Sequence, residues 1–338
     1  MKKVSLVLLI GALALILIVP QSYSQTKLAQ TGFQFLSVGV DARATAMGEA
    51  FTTLDGSSVA MFYNPAGMAS VSSHIDLSFS TMNWIADIKY NAGSMTFNYA
   101  GGKYGVFGLS FLSVDYGQFE WTQVAENEQG FEDIGDLLGN PEPNAYLVGL
   151  GYARQLTDRF SVGGQVKYVY QDLGSSFAPV YTEEDTLIEK KNYDLGVFAF
   201  DFGTLYRTGF KSLNFGMTIR NFSEEVKFEK EGFQLPLTFK IGASINAFDF
   251  LPSNPDYHSL LVSVDAVHPR SFSEYLNIGA EYVFMDKVAL RLGYITSQDQ
   301  YDFTTGFGLQ LFGLAIDYSY MPFDVFDSIN RISFKFSY

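Results

Sequence analysis

Apolar and polar residues alternate through the second half of this 338-residue chain. From Leu213 to Arg220, and again from Leu237 to Asn246, every second residue is apolar and the residues between are polar or small. The pattern returns at 288–294, 303–311 and 331–338. A period of two is typical of β-strands whose two faces meet different environments. The chain is therefore predicted to be an all-β protein.

Turn residues divide the chain after residue 73 into fourteen candidate strands. A strand that crosses an outer membrane needs only about ten residues, with alternate side chains apolar. An even number of strands is typical of a closed antiparallel barrel in a bacterial outer membrane. We expect the strands at 74–82, 88–100, 103–114, 144–154, 159–171, 193–202, 210–220, 236–247, 258–267, 274–284, 287–296, 302–311, 313–321 and 330–338.

The predicted connections are mostly short after even-numbered strands and often long after odd-numbered ones. The short turns include Gly101-Gly102, Met285-Asp286 and Phe312-Gly313, and the long loops are 115–143, 172–192 and 221–235. Outer-membrane barrels have short periplasmic turns and long extracellular loops. A soluble β-sandwich also has alternating strands, but it does not require its long loops to share one end. We therefore predict a transmembrane antiparallel β-barrel, in which the long connection at 248–257 is an exception.

The first residues have the pattern of a secretory signal peptide. Lys2 and Lys3 precede an apolar run at 4–19, and small residues around Tyr23 provide a cleavage site. The alternative is a membrane anchor, but no basic stop-transfer flank follows the apolar run. We expect residues 1–24 to be removed, so that the mature protein begins near Gln25. The predicted location is the outer membrane of a Gram-negative bacterium.

Composition and motifs exclude several functions. The net charge of −14 opposes binding to nucleic acid, whose phosphates would be repelled. The chain has no cysteine, which excludes disulfides, thiolate metal sites and lipid attachment through cysteine. The three histidines are far apart, and the sequence has no nucleophile elbow, dinucleotide loop or calcium loop. We expect no enzyme activity, no metal and no cofactor.

Ionisable residues recur on the polar face of the predicted strands. Glu281 and Arg291 are equally distant from the turn at Asp286, so they should face each other across one hairpin. Asp317 and Lys335 are expected to pair similarly. Two interpretations remain open: a substrate pathway lined with charges, or ion pairs that let a narrow lumen hold charge. The predicted inward charges are Lys167, Asp201, Arg220, Lys240, Asp265, Glu281, Arg291, Asp317 and Lys335.

The predicted loop at 115–143 combines acidic and aromatic residues and has no Lys or Arg. Aromatic side chains serve as anchors in protein interfaces, and charge selects the partner. The loop is either a solvated surface facing an anionic outer leaflet or a docking surface, and four large aromatics in solvent favour docking. The aromatics are Tyr116, Phe119, Trp121 and Phe131, and the acidic residues are Asp115, Glu120, Glu126, Glu128, Glu132, Asp133, Asp136 and Glu142.

The stretch at 32–71 has a different character from the strands. Asn64 followed by Pro65 is a strong helix start, because Asn caps free amides and Pro fits the first helical position, yet Gly67 follows at once. The stretch resembles the N-terminal signature of the PorV/PorQ family, which is related to the FadL-like outer-membrane proteins. Gly56 departs from that signature, which often has a second acidic residue there. The resemblance rests on Phe35-Leu36, Gly39, Ala42-Arg43, Ala46-Met47-Gly48, Ala50, Asp55 and Asn64-Pro65-Ala66-Gly67.

The resemblance implies a fourteen-stranded barrel whose N-terminal segment folds into the lumen. We therefore expect residues 25–73 to form a plug with short helical turns and residues 74–338 to form the barrel. Small residues between 42 and 50 would let a short helix pack closely inside, and Arg43 would meet an inward carboxylate. The expected plug motif is Arg43, Met47, Gly48, Asn64, Pro65 and Gly67.

The resemblance implies two alternative functions. A PorV/PorQ protein is a non-enzymatic outer-membrane component of a type IX secretion system, which binds translocon, cargo or attachment proteins through its extracellular loops and a lateral opening. A FadL-like protein is a channel for hydrophobic small molecules. The expected partners are outer-membrane lipid together with secretion proteins or a hydrophobic compound. The channel would have an apolar pocket near the plug, formed by Phe33, Phe35, Met47 and Phe51.

Overall fold

Fourteen antiparallel strands form a closed barrel in the computed structural model of this chain. The structure describes residues 31–126, 128–133, 135, 140–181, 186–250, 257–297, 302–323 and 327–338. The expected signal peptide at 1–24 and the first residues of the expected plug lie outside these ranges. The strands are β1 (Ile75–Asn83), β2 (Lys89–Asn98), β3 (Val106–Asp115), β4 (Thr122–Val124), β5 (Phe131–Asp133), β6 (Asn144–Thr157), β7 (Phe160–Tyr181), β8 (Thr186–Arg207), β9 (Asn214–Ser223), β10 (Thr238–Asn246), β11 (His258–Pro269), β12 (Tyr275–Phe284), β13 (Val288–Ile295), β14 (Phe303–Leu311), β15 (Leu314–Met321) and β16 (Ile329–Ser337).

Pairing of the first and last strands closes the barrel. β1 pairs with β16 from Asp76 opposite Ser337 to Asn83 opposite Asn330. The other barrel strands pair with their neighbours in sequence, except that β3 pairs with β6, because β4 and β5 form a separate small sheet in the loop between them. The predicted fold class and strand count are therefore confirmed.

The two ends of the barrel differ in the length of their connections. Short turns follow β6, β12 and β14 at the end where the chain terminates, and long loops follow β3 and β9 at the other end. By the rule for outer-membrane barrels, the first end is periplasmic and the second is extracellular. The long periplasmic connection after β10 remains an exception, and its described part is a 3-10 turn at Ala247–Phe250.

In the described part of the chain, no helix is long and apolar enough to cross a membrane.

A two-stranded tongue rises above the extracellular rim. The pairing of β7 with β8 continues to Tyr181 opposite Thr186, whereas β6 pairs with β7 only as far as Asp172 and β9 pairs with β8 only as far as Ala199. The sequence predicts a loop at 172–192 instead. The prediction is wrong because strands that leave the membrane need no apolar face, so the alternation that marks a spanning strand stops at the rim.

The wall has an apolar outer face and a polar inner face. Outward positions such as Phe198, Phe202 and Leu292 are exposed, as expected for side chains that contact lipid. Inward positions such as Lys167 and Asp201 are almost fully buried. Burial of these polar side chains requires that something fill the lumen.

The N-terminal segment fills it. After a 3-10 turn at Gln34–Ser37 come helix α1 (Ala42–Ala46), helix α2 (Ala60–Tyr63) and a second 3-10 turn at Pro65–Ser70. α1 contacts β13, β14, β15 and β16, and the second 3-10 turn contacts β6, β7 and β8 on the other side. We call the described residues 31–73 the plug.

Candidate functional site

Asn64 joins three segments at the centre of the plug. It stands between the end of α2 and the turn that begins at Pro65, and its Oδ1 accepts a hydrogen bond from the amide of Ala66 at 3.1 Å. Its Nδ2 donates to the carbonyl of Thr52 at 2.7 Å and to the carbonyl of Thr204 on β8 at 3.0 Å. Asn64 therefore both caps a helical turn and attaches the plug to the wall.

A chain of alternating charges connects the plug to three strands. Arg43 of α1 forms a two-pronged pair with Glu281, with Nε–Oε2 at 2.7 Å and Nη2–Oε1 at 2.6 Å. Glu281 also accepts from Arg291 Nε at 2.6 Å, and Arg291 Nη1 donates to Asp317 at 2.7 Å. Glu281 and Arg291 lie opposite each other on β12 and β13, as the sequence predicts. Each buried charge thus has a partner of opposite sign.

The predicted pairing of Asp317 with Lys335 is wrong. In the register of β15 with β16, Asp317 lies opposite Ser333 and Lys335 lies opposite Ala315. Lys335 Nζ instead lies 3.3 Å from Asp76 Oδ2 on β1, across the strand pair that closes the barrel. Asp317 instead accepts a hydrogen bond from Arg291. Equal sequence distance from a turn identifies a pair only when the hairpin is tight, whereas a long loop separates β15 from β16.

Three inward residues on the wall receive backbone or side-chain groups of the plug. Asp265 accepts hydrogen bonds from the amides of Phe51 and Thr52, both at 3.0 Å. Asp76 accepts from the amide of Ser58 at 2.7 Å. Arg331 is almost fully buried and donates to Thr45 of α1. Asp76 and Arg331 are not among the predicted inward charges, although both lie on the polar faces of alternating strands.

A second buried cluster lies at a bulge between β8 and β9. Lys167 Nζ is 2.7 Å from Asp201 Oδ2 and 2.6 Å from Asn221 Oδ1. The register shifts at Asp201, and Asn221 has a positive φ of 62°. Asp201 Oδ1 accepts a hydrogen bond from the backbone amide of Asn221 at 2.7 Å. The backbone donor at the bulge therefore has a partner inside the lumen.

Glycines line the wall where plug backbone comes closest. A Cβ atom at Gly279 of β12 would lie 2.5 Å from the Met47 carbonyl oxygen, and one at Gly216 of β9 would lie 2.6 Å from the Thr52 carbonyl oxygen. At Gly293 of β13 it would collide with the amide nitrogen of Gly48. These three glycines lie among the polar or small positions of the alternating strands. A larger side chain at any of them would collide with the plug backbone.

An apolar groove opens at the extracellular rim. We call this cavity of about 590 Å³ the rim groove; plug residues, the β1–β2 and β9–β10 loops and the start of the β3–β6 loop line it. Burial raises the pKa of the Tyr116 hydroxyl there above its ordinary value, because the groove is a poor environment for a phenolate. The aromatic residues of the groove are Phe33, Phe35, Trp84, Tyr90, Tyr116, Phe228 and Phe233.

A smaller polar cavity lies near the periplasmic turns. It has a volume of about 120 Å³ and is lined by Arg43, Glu281, Lys287, Asp317 and Lys335 among others. It shares no lining residue with the rim groove. We call this cavity the vestibule.

The structure does not bring the four predicted pocket residues together. Phe33 and Phe35 line the rim groove. Met47 is fully buried against β12, and Phe51 lines the vestibule, with the Arg43 guanidinium 5.6 Å above its ring. Among the described residues, Phe33 and Phe35 are therefore the two of the four that meet in an apolar cavity, and that cavity is at the extracellular end.

The four predicted docking aromatics have different environments. Phe119 and Phe131 are exposed by 54% and 51%, and Phe131 lies on β5 of the small hairpin. Trp121 is half-buried, and its amide donates to Asn140 Oδ1 at 3.0 Å. Tyr116 turns towards the barrel and accepts from Gln171 at 3.4 Å. The described acidic side chains of the loop are exposed, and two of them also accept loop amides: Asp115 from Gly117 at 2.9 Å and Asp133 from Gly135 at 2.7 Å.

These features define a class of protein: an outer-membrane-type β-barrel whose lumen is filled by its own N-terminal segment. Solved structures share this fold. The toluene transporter TbuX of Ralstonia pickettii is 14% identical, with a TM-score of 0.58 over 89% of this chain and 98% of that one. The toluene transporter TodX of Pseudomonas putida is 11% identical, with a TM-score of 0.56 over 92% and 98%. A FadL homologue of Pseudomonas aeruginosa is 9% identical, with a TM-score of 0.51 over 89% and 99%.

Residues 143–324 match the family of type IX secretion system membrane proteins PorP/SprF. The match spans more than half of the chain, and this protein belongs to that family. The family supports the type IX secretion relationship predicted from residues 32–71, which lie outside the matched stretch. No protein with a curated description matches the chain. The family and the solved structures are secretion and transport barrels rather than enzymes.

Proposed function

We propose that this protein acts in type IX secretion as a docking component of the outer membrane, which binds translocon, cargo or attachment proteins at its extracellular end. The lumen is not the route of transport in this proposal. The observation that carries it is the attachment of the plug to the wall on all sides.

Bonds to the wall are distributed over the whole length of the plug. Arg43 is paired with β12, Ser58 is held by β1, and Asn64 is bonded to β8. The wall groups that they contact, such as Glu281 and Asp76, are buried, so a movement of the plug would remove hydrogen bonds from several buried groups at once. Breaking one buried pair costs about 3–5 kcal/mol, which makes a rigid plug the favoured state.

The extracellular end offers a surface that a protein can recognise. The loop at 115–143 carries eight carboxylates and no cation in sequence, and Phe119 and Phe131 are half-exposed beside them. Exposed aromatic rings supply apolar contact area, while the carboxylates favour a partner with a basic surface.

The test is affinity purification of tagged protein from native outer membranes in mild detergent. We expect near-stoichiometric recovery of a secretion translocon subunit or a secreted cargo protein. Replacing Glu120, Glu126 and Glu128 together by glutamine should reduce recovery roughly tenfold, since three exposed charges contribute on the order of 0.5 kcal/mol each.

The matched control removes the same charge from another loop at the same end. Glu224, Glu225 and Glu231 are exposed residues of the β9–β10 loop, and their replacement by glutamine should leave recovery unchanged. Equal losses in the two triple variants would show a general charge effect and contradict a docking site in the 115–143 loop.

The rim groove favours a second candidate function, uptake of hydrophobic compounds. Related barrels are described as toluene transporters, so a monoaromatic hydrocarbon is a suitable probe. Saturable quenching of Trp84 fluorescence by such a compound, lost in the Phe233→Asn variant, would support binding in the groove. Recovery of the barrel without protein partners but with a bound hydrophobic compound would favour this function over docking.

The expected export route has a separate test. N-terminal sequencing of protein purified from outer membranes should begin near Gln25. A first residue at Met1 would contradict the cleaved signal peptide.

A further inference from the structure

A polar stretch lies on the outer wall just below the extracellular rim. Thr81 on β1 lies opposite Asn91 on β2, and Asn91 lies opposite Ser113 on β3. One row higher, Asn83 lies opposite Asn330 on one side and opposite Lys89 on the other. All of these side chains alternate with buried inward residues and therefore point away from the lumen. We call these side chains the polar wall stretch: Thr81, Asn83, Lys89, Asn91, Ser113 and Asn330.

The outward row nearest the rim is polar on several strands, since Asp115, Asn144 and Asp172 continue the row of Asn83 and Lys89. In the second outward row, several other strands carry apolar or aromatic residues. The two outward residues nearest the extracellular end are Leu276 and Ile278 on β12, and Tyr294 and Leu292 on β13. On β8, Phe198 and Phe200 point outward just below the tongue and are exposed. A barrel surrounded only by lipid is expected to have this apolar band and aromatic girdle around its whole circumference. The polar wall stretch interrupts the second outward row on three adjacent strands, β1, β2 and β3, at Thr81, Asn91 and Ser113.

Several groups in the polar wall stretch have no hydrogen-bond partner within the described protein. Thr81 donates to Asn91 Oδ1 at 2.9 Å, and Tyr318 donates to Asn330 Oδ1. The Asn91 amide NH₂, the Ser113 hydroxyl and the Lys89 ammonium have no partner among the residues described, nor has the Asn83 side chain. Polar groups that face hydrocarbon without a partner are costly, because lipid tails offer no hydrogen bonds.

We propose that the polar wall stretch is the contact surface for another membrane-embedded protein of the type IX secretion machinery. This inference rests on the proposed docking function and adds a second surface to it. The stretch lies on the lipid-facing wall, so only a partner in the same membrane can reach it. The partner must offer hydrogen-bond donors and acceptors at the same depth, as polar residues do between transmembrane segments.

The stretch is continuous with a recess at the rim. Asn83 and Asn330 also line a cavity of about 620 Å³ between the β1–β2 and β15–β16 loops, together with Trp84, Asp87 and Asp327. At its other edge, Lys89 lies opposite Asp115, where the acidic loop begins. A partner on the wall would therefore also reach the recess and the base of the docking loop.

The test is site-specific photocrosslinking in cells that contain the native secretion system. A photoreactive residue at Asn91 should give one discrete adduct that contains an identified membrane-embedded secretion subunit. The same residue at Leu292, which faces outward on β13, should give only lipid adducts. Lipid adducts alone at both positions, or an adduct with a second copy of this chain at Asn91, would overturn the proposal.

A triple variant tests the same surface without a crosslinker. Thr81→Val, Asn91→Leu and Ser113→Val together make the stretch apolar, and the barrel should keep its heat-modifiable mobility on gels. Recovery of the membrane-embedded partner should fall at least tenfold, while soluble cargo bound at the 115–143 loop is still recovered. Undiminished recovery of that partner with the triple variant would refute the wall contact but leave loop docking intact. If the unmodified protein recovered no partner at all, that result would instead contradict the proposed function itself.

Discussion

At the residue scale, Glu281 is the centre of the charge chain between plug and wall. It accepts from both Arg43 and Arg291, and its side chain is only 5% exposed. Glu281→Gln leaves two guanidinium groups facing each other without a carboxylate between them. We expect the free energy of unfolding to fall by about 3 kcal/mol, measured by urea titration of the barrel refolded in lipid.

An exposed ion pair provides the control for this variant. Glu229 of the β9–β10 loop pairs with Lys191 of the tongue at 2.5 Å, and both side chains are about half-exposed. Glu229→Gln should leave the unfolding midpoint unchanged, because water replaces the lost partner. If both variants lowered the midpoint equally, the lumenal chain would have no special role in stability.

Asn64 tests whether the cap or the wall bond matters more. Asn64→Ala removes the cap on Ala66 and the bonds to Thr52 and Thr204, so we expect a loss of about 2–3 kcal/mol. Asn64→Asp retains the capping oxygen but places a buried carboxylate oxygen against the carbonyl oxygens of Thr52 and Thr204, so it should lose at least as much as Asn64→Ala. Full stability of the aspartate variant in urea titration would show that only the cap is needed.

Single residues could be predicted from the sequence when local geometry determines their partners. Glu281 and Arg291 flank a tight turn, so their pairing follows from counting. The ion pair of Lys335 with Asp76 depends on β1 meeting β16, which are the most distant strands in the sequence. No local pattern contains that information.

At the scale of elements, the fit between α1 and the neighbouring wall depends on glycines. Gly279→Ala would place a methyl group 2.5 Å from the Met47 carbonyl oxygen, where neither backbone can yield easily. We expect a loss of about 1–3 kcal/mol and faster cleavage of the plug by added protease.

Gly93 of β2 is the matched control for this change. It faces outward, and an added Cβ would meet only the Ser78 carbonyl oxygen at 3.8 Å. Gly93→Ala should therefore be neutral in both stability and protease resistance. A loss at Gly93 as large as the loss at Gly279 would point to strand propensity rather than to the contact with the plug.

Elements inside the membrane were predictable, and those outside it were less so. Alternation identified all fourteen barrel strands because lipid and lumen impose opposite requirements on the two faces. The tongue and the small hairpin of β4 and β5 are surrounded by water, which imposes no such pattern. The capped turn after Asn64 was predictable, since capping chemistry is local, but its position against β6, β7 and β8 was not.

At the scale of the whole molecule, the lumen is expected to be closed to ions. The rim groove and the vestibule share no lining residue, and buried plug residues such as Val40 and Ala44 lie in the lumen. Protein reconstituted in a planar lipid bilayer should give no steady conductance, whereas an open porin in the same bilayer should. Steady single-channel steps from the purified protein would contradict a closed lumen.

The most direct test of docking without transport through the lumen is to fix the plug covalently. The side-chain oxygens of Ser58 in the plug and Ser94 on β2 lie 3.0 Å apart, and the chain has no cysteine of its own, so Ser58→Cys with Ser94→Cys gives a single candidate disulfide. Secretion of type IX cargo by cells with this variant should be the same whether the disulfide is oxidised or reduced, and equal to that of the Ser58→Cys single variant. Secretion that stops on oxidation and returns on reduction would show that the plug must move, and would contradict the account.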